Sequence, residues 1–245
     1  MAMSHVNFVS YNSTGLNEVK IKWIRDLCFA TSSSFVGIQE HFRKNKNIDE
    51  TFASGFPEHN CYVVPGHRDS GQDRGRPKGG LAQLINRTFD IKVTTINCDN
   101  FRLQAQIISF PNTTLLWMNV YFPTDSQNLN SDTTELVTTL KVIENVMDNN
   151  TFDDILIQGD LNWDSRRDSG HSLIMKEFTE RIGVKSVWER FPVSFTHIHT
   201  DMKSTSVLDN FLVNERLLDY IVDAGVMHLG DNLSRHSPIL KALCR

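Results

Sequence analysis

Three apolar runs stop abruptly at a polar residue: FVSYN ends at Asn12, FVGIQE at Glu40, and DILIQGDLN supplies Asp160 and Asn162. Each run reads as a strand, and a side chain at a strand end is held firmly by its sheet while still facing a cleft. Carboxylates and carboxamides placed this way can ligate a hard cation, hold a water or move a proton. Each also has a plainer reading: Asn12 as a turn residue, Glu40 as a surface carboxylate, Asp160 with Asn162 as an Asx turn. NVYFP adds Tyr121, which could equally be packing in a strand. TSVLDNFLV adds Asp209, and LSRHSPI adds His236, whose plainer reading is a satisfied core histidine. His197 and His199 lie two apart and would share one face of a strand, where they could take zinc; solvated loop histidines are the favoured reading.

The elements that must position these groups follow from periodicity. Alternation predicts strands from Val6 to Tyr11, Ser34 to Gln39, Gly79 to Ile85, Ile91 to Asn97, Arg102 to Phe110 and Thr114 to Tyr121. Further strands are predicted from Asp154 to Gln158, Val207 to Val213 and Pro238 to Leu243. Helical spacing covers Asn17 to Ala30, with Trp23, Ile24, Leu27 and Cys28 on one face. Asp132 and Glu135 form a capping box for a helix to Met147 that buries Leu136, Leu140 and Ile143. A third helix runs from His171 to Ile182, with Gly183 as its C-terminal cap. Many strands without a strict βαβ rhythm predict an α/β fold of two packed, mainly antiparallel or mixed sheets flanked by helices.

The chain of 245 residues reads as one domain, without internal repeats or a low-complexity linker. No apolar run approaches the roughly 20 residues that span a bilayer, and the start lacks the pattern of a signal peptide, so no membrane partner is expected. Four scattered cysteines show no zinc spacing and read as reduced thiols of the cytosol or nucleus. The net charge of −4 does not advertise a polyanion binder, but HRDSGQDRGRPK concentrates Arg68, Arg74, Arg76 and Lys78 against Asp69 and Asp73. That loop is either a phosphate-binding rim or a solvated loop.

Taken in order, SYNSTGL, GIQEH, NVYFP, GDLNWD, TSVLDNFLV and LSRHSPI resemble the endonuclease/exonuclease/phosphatase superfamily, which has the DNase I-like fold. The resemblance runs nearly end to end. SYNSTGLN, RPKGGLAQL, NVYFPT and DNLSRHSPI are most like the endonuclease domain of LINE-type (non-LTR) retrotransposons. It implies a four-layer α/β sandwich and a Mg²⁺-dependent nuclease, in which Mn²⁺ can substitute. The substrate would be double-stranded DNA, nicked on one strand to leave a 3′-hydroxyl primer for target-primed reverse transcription. It implies residues 1–245 to be the N-terminal part of a polyprotein with a reverse transcriptase behind it, made in the cytoplasm and acting in the nucleus.

Residue by residue, the resemblance makes Glu40 the metal ligand and Asp160 the group that orients or deprotonates the attacking water. Asn162 and Asn12 would hold water and phosphate, Tyr121 the leaving side, and Asp209 with His236 a carboxylate–imidazole pair. Thr196 would touch phosphate, and the Thr196–Ser206 segment, with His197, His199 and Lys203, would be a protruding hairpin in the DNA groove. One position departs from the family's Ser-Asp-His: here it is Ser234-Arg235-His236. Arg235 then weakens the metal site, contacts phosphate, or disables the domain; Asp231 is a candidate substitute for the missing carboxylate. Competing readings are an apurinic/apyrimidinic repair endonuclease, with Phe195, Phe211 and Trp188 available to wall a sugar pocket, a phosphatase or lipid phosphodiesterase, and a non-catalytic DNA-binding module.

Overall fold

The computed structural model describes residues 5–44, 47–68, 74–125 and 133–244. In chain order these form β1 (His5–Asn12), α1 (Glu18–Ala30), β2 (Phe35–Gln39), α2 (Ile48–Gly55), β3 (His59–Val64), β4 (Leu81–Asn86) and β5 (Lys92–Ile96). Next come β6 (Leu103–Phe110), β7 (Thr113–Tyr121), α3 (Thr134–Asp148), β8 (Asp154–Asp160), α4 (Ser172–Ile182) and β9 (Val184–Ser186). The chain closes with β10 (His197–Ile198), β11 (Thr205–Ser206), β12 (Asp209–Asn214), α5 (Glu215–Asp219), β13 (Ile221–Val226) and β14 (Ile239–Cys244).

Two mixed sheets of six strands carry the fold, ordered β13-β14-β1-β2-β4-β3 and β5-β6-β7-β8-β12-β9, with β10 and β11 as a separate hairpin. α1 and α2 cover the outer face of the first sheet through Ile24, Leu27, Phe52, Val9 and Val36. α3 and α4 cover the second through Leu136, Ile143, Phe178, Met118 and Ile157. The predicted helices and strands are all present. α2, β3, β9, α5 and β13 were not predicted; they are short or interrupted by polar residues. The Asp132 end of the expected capping box lies outside the described residues, and Thr133, the N-cap of α3, makes no side-chain cap. Gly183 does cap α4 in the left-handed conformation, φ 69°.

The inner faces follow from the two-residue period of strands. Val6 and Phe8 of β1, Phe35 of β2, Trp117 of β7, Leu156 of β8 and Phe211 of β12 meet between the sheets. Two residues along these strands the same face turns polar. Gln39 Nε2 donates to Asn119 Oδ1 at 2.6 Å and to Ser10 Oγ at 3.0 Å, and Gln158 Nε2 donates to the Val9 carbonyl at 3.2 Å. Gly37 makes this close approach possible, since a Cβ there would lie 2.1 Å from Gln158 Nε2. Two residues further, the face ends in Asn12, Tyr121 and Asp160. The inter-sheet space is thus graded from an apolar end, through a buried amide layer, to a polar edge.

Candidate active site

That polar edge opens into a cleft of about 580 Å³ lined by Glu40, Tyr121, Asp160, Asn162, His197, His199, Arg235 and His236 among others. Parallel pairing sets Asn12 of β1 beside Gln39, so that Glu40 follows at once, and sets Tyr121 of β7 beside Asp160 of β8. Antiparallel pairing puts Asp209 of β12 on the other side of Asp160. At the strand ends the backbone turns sharply: Thr14, Glu40 and Asn162 sit at φ 45°, 52° and 46°. This left-handed conformation costs a non-glycine residue of order 1 kcal/mol or more and clusters at functional sites. Here it turns Glu40 and Asn162 into the cleft.

Asn12 clamps the two sheets together. Its Nδ2 donates to Glu40 Oε2 at 2.9 Å and to Asp160 Oδ2 at 2.8 Å, while its Oδ1 accepts from Thr14 N at 2.9 Å. Its amide therefore spaces two carboxylates, where the sequence suggested a hand on water or phosphate. Asp160 Oδ1 also accepts from Asn162 N at 2.9 Å, and Asn162 Nδ2 donates to the Phe122 carbonyl at 2.8 Å. His236 Nδ1 lies 2.9 Å from Asp209 Oδ2, and its Nε2 lies 3.9 Å from Asp160 Oδ2. The carboxylate thus fixes the ring and turns Nε2 toward Asp160.

The proton affinities follow from this packing. Burial first, then the charges of Asp209 and Glu40, raise Asp160 well above the usual carboxylate range, against the opposing pull of His236. For His236, burial alone would lower proton affinity, but Asp209 and Asp160 outweigh it and lift the imidazole to about 9. Tyr121 is also pushed far up, by burial and by Glu40 and Asp160, so its phenol keeps its proton. The Arg102 guanidinium lies 5.2 Å from the Tyr121 ring centre and donates to Glu135 at 2.7 Å, bracing Tyr121 from behind. His197, its ring 4.4 Å from that of His236, is held down to about 4 by burial and by the neighbouring charges. The cleft therefore presents a charged and a neutral imidazole side by side.

Asp160, Asp209 and His236 bring potential ligand atoms within 4.8 Å of one another. His236 is a poor member of that set, because its Nδ1 is engaged by Asp209 and its proton is tightly held. The carboxylates fit better. Glu40 and Asp160 face the same cleft, Asp209 Oδ1 is buried without a partner among the described residues, and burial and the neighbouring carboxylates raise the proton affinity of Asp160. Among the described residues His236 is the cation that offsets the charge of Asp160, and such hard oxygens suit a small divalent cation that keeps several of its waters.

Several expected residues sit elsewhere. Thr196 is fully buried, and its Oγ1 accepts from Leu208 N and Asp209 N at 2.9 and 3.0 Å. It holds the backbone of Leu208 and Asp209 and so shapes the approach to Asp209. Asp231 is exposed and is not among the residues lining the cleft, so the substitution for the missing carboxylate has no support. Arg235 does line the cleft, and its Nη1 donates to Thr200 Oγ1. Lys203 lies at the exposed hairpin tip. In the basic loop, Arg68 donates to the Gly75 carbonyl at 2.9 Å and Arg76 lies 3.9 Å over the Phe42 ring. Arg74 and Lys78 are exposed; Asp69 and Asp73 lie outside the described residues. Trp188 and Phe211 are packed in the inter-sheet core, and Phe195 lies against His228, so none of the three walls the cleft.

Among the cleft residues that escaped the sequence reading, Ser234 and Lys20 make the telling contacts. Ser234 Oγ donates to the Asn12 carbonyl at 2.8 Å and accepts from His236 N at 3.2 Å, tying the histidine segment to β1. Its only signal is its place in SRHSP. Lys20, one turn into α1, donates from Nζ to the Ser13 and Thr14 carbonyls and lines the cleft. Nothing in the sequence distinguishes it from the other surface lysines.

No family model matches the sequence, and no curated protein is detectably similar to it. Solved structures are similar in fold. An AP endonuclease, LMAP, from Leishmania major aligns with a TM-score of 0.80 at 15% identity, over 98% of this chain and 88% of its own. A 3′ phosphatase from Neisseria, bound to product DNA hairpin, gives 0.72 at 15% identity, over 98% and 100%. The endonuclease domain of TRAS1, a telomere-specific non-LTR retrotransposon, gives 0.69 at 13% identity, over 98% and 99%. The chain has the DNase I-like fold.

Proposed function

We propose that the protein is a Mg²⁺-dependent endonuclease that nicks one strand of double-stranded DNA. The observation that carries this reading is the cluster of Asn12, Glu40, Asp160, Asp209 and His236 at the floor of an open cleft. Hydrolysis of a phosphodiester needs an activated water, relief of charge on the phosphoryl oxygens, and a proton for the leaving oxygen. Asp160, with its raised proton affinity, takes the proton of the attacking water. His236, held protonated by Asp209, offers positive charge and an Nε2–H to the phosphate. Tyr121, kept protonated beside Glu40, donates toward the leaving oxygen. A divalent cation bound at Glu40 would add Lewis-acid stabilisation of the phosphoryl oxygens.

The products in this reading are 3′-hydroxyl and 5′-phosphate ends. The resemblance to retrotransposon endonucleases, and the TRAS1 domain among the similar folds, support a role in priming reverse transcription. The chain would then be the nuclease portion of a polyprotein carrying a reverse transcriptase, at work in the nucleus. The similarity to an AP endonuclease keeps a second reading open, cleavage beside a baseless sugar. The positions of Trp188, Phe211 and Phe195 count against it, since the cleft wall consists instead of His197, His199, Leu233 and Arg235. The deciding experiment compares nicking of supercoiled plasmid, intact duplex and abasic duplex in Mg²⁺, with the ends mapped. Cleavage confined to abasic duplex would favour repair, and no nicking in Mg²⁺ or Mn²⁺ would overturn both readings. Replacing Arg74, Arg76 and Lys78 with alanine should flatten the salt dependence of DNA binding by about 0.9 log unit per lost phosphate contact.

A further inference from the structure

The β10–β11 hairpin and the segment carrying His236 form one small three-stranded unit. Ile198 N donates to the Arg235 carbonyl at 3.0 Å, Ser237 N donates to the Thr196 carbonyl at 2.7 Å, and His197 pairs with His236 across an antiparallel bridge. Within the hairpin His197–Ser206 and Ile198–Thr205 are paired, Thr196 N donates to the Ser206 carbonyl and His199 N to the Ser204 carbonyl, both at 2.9 Å, and Arg167 donates to the Thr205 carbonyl from outside it. A ladder that short has little stability of its own in water. Its far end, at Thr200 to Lys203, projects beyond this pairing and is organised locally by Asp201, whose Oδ1 accepts from Lys203 N at 3.0 Å and Ser204 N at 2.9 Å.

Arg235 bridges the two parts. Its backbone belongs to the paired segment, while its Nη1 donates to Thr200 Oγ1 at the beginning of the tip. Among the described residues it forms no ion pair with a carboxylate. The hairpin places His197 and His199 on the cleft wall, His197 against His236 and His199 Nε2 2.6 Å from Ser206 Oγ. A hairpin free to swing outward would carry both imidazoles away from a bound strand.

We propose that Arg235 is a positioning residue that latches the β10–β11 hairpin over the cleft through Thr200. It acts on DNA by holding His197 and His199 in place, and neither perturbs the metal nor makes its own phosphate contact. The catalytic part of this proposal rests on the nuclease reading above; the latch itself does not.

The test is a double-mutant cycle of Arg235→Ala and Thr200→Val, with Arg235→Lys and Thr200→Ser as conservative controls. Steady-state nicking gives KM for DNA, kcat, and the Mg²⁺ concentration for half-maximal rate. Amide exchange at Ile198 and His199 is measured on the metal-free proteins. Loss of one exposed hydrogen bond should raise KM about fivefold in either single variant, with kcat and the Mg²⁺ requirement little changed. The double variant should be no worse than the singles, both amides should exchange faster in all three, and Thr200→Ser should behave as the parent. A silent Thr200→Val with a weakened Arg235→Ala would instead make Arg235 a direct phosphate contact. A lower Mg²⁺ requirement in Arg235→Ala would make it a charge at the metal. Either result, or unchanged exchange, overturns the latch. Should the parent fail to nick, the nuclease reading falls while the exchange data still decide the latch.

Discussion

β8 begins and ends with an aspartate, and both are buried. Asp154, at the start, receives a two-pronged contact from Arg216, Nε to Oδ1 at 2.8 Å and Nη2 to Oδ2 at 2.7 Å, with further hydrogen bonds from Thr113 and Asn214. Asp160, at the end, has neutral amide partners, two carboxylate neighbours, and, among the described residues, a histidine nitrogen at 3.9 Å as its cationic neighbour. The second large cavity, about 500 Å³, lies at the Asp154 end among Val6, Phe110, Leu115 and Leu243, where the aspartate is already neutralised. Burial of a carboxylate therefore does not mark a site by itself. Burial with compensation makes a structural anchor, and burial without it leaves a group whose charge awaits a proton, a cation or a substrate.

Four substitutions can break or sharpen that contrast. Asp160→Asn should lower nicking by at least about a thousandfold while leaving the thermal midpoint unchanged or raised, because it removes an uncompensated charge from a group needed for chemistry. Rates and melting curves on the same preparations check this, and a destabilised, still active variant would erase the distinction. Asp209→Asn should follow, with nicking down about a hundredfold. Its sharper readout is the metal-free protein, where the His236 imidazole should titrate near pH 9 in the parent and well below that in the variant. With the carboxylate gone, burial becomes the dominant influence and disfavours the charged ring.

At the other end, Asp154→Asn should leave the rate per folded molecule intact and lower stability by about 1–2 kcal/mol. The contribution is modest because Arg216 is half exposed and can turn to water. Urea unfolding alongside nicking assays separates the two readouts. The smallest effect concerns Lys241, fully buried with its Nζ unpartnered, 4.9 Å from the Phe8 ring centre, and lowered to about 7 by that burial. Lys241→Met should stabilise by about 1 kcal/mol or more at pH 6. The sign follows from linkage: the folded state binds fewer protons than the unfolded one between about pH 7 and the ordinary lysine range. The parent's penalty is thus complete below pH 7 and fades as pH rises through that window. A gain independent of pH from 6 to 10.5 would mean that packing, not desolvation, is responsible.

Much of the site was legible in the sequence because strand ends declare themselves. Asn12, Glu40, Asp160 and Asn162 each follow an apolar run, and the structure brings all four to one cleft. Most strands were legible for the same reason, and α2, β3, β9, α5 and β13 were not, since short elements and those with polar interruptions show no clean period. The role of Thr196 was not legible, because a hydroxyl in a phosphate-binding pattern looks the same whether it faces solvent or caps two backbone amides. Arg235 could be read three ways because sequence shows a charge without its direction, and Lys20 and Ser234 enter the cleft only through the packing of α1 and of the final segment.

By itself, the sequence determined which residues share a face. The two-residue period puts Leu156, Gln158 and Asp160 in line, as it does Phe35, Gly37 and Gln39, so the gradient from apolar core to polar edge is written locally. Only the tertiary structure decided which buried charges are answered. Arg216 reaches Asp154 from 62 residues away, and Asn12 reaches Asp160 from 148 away. Proton affinity depends on distances of a few ångströms between such remote groups and on how much water they exclude together, and neither quantity exists until the two sheets have closed on each other.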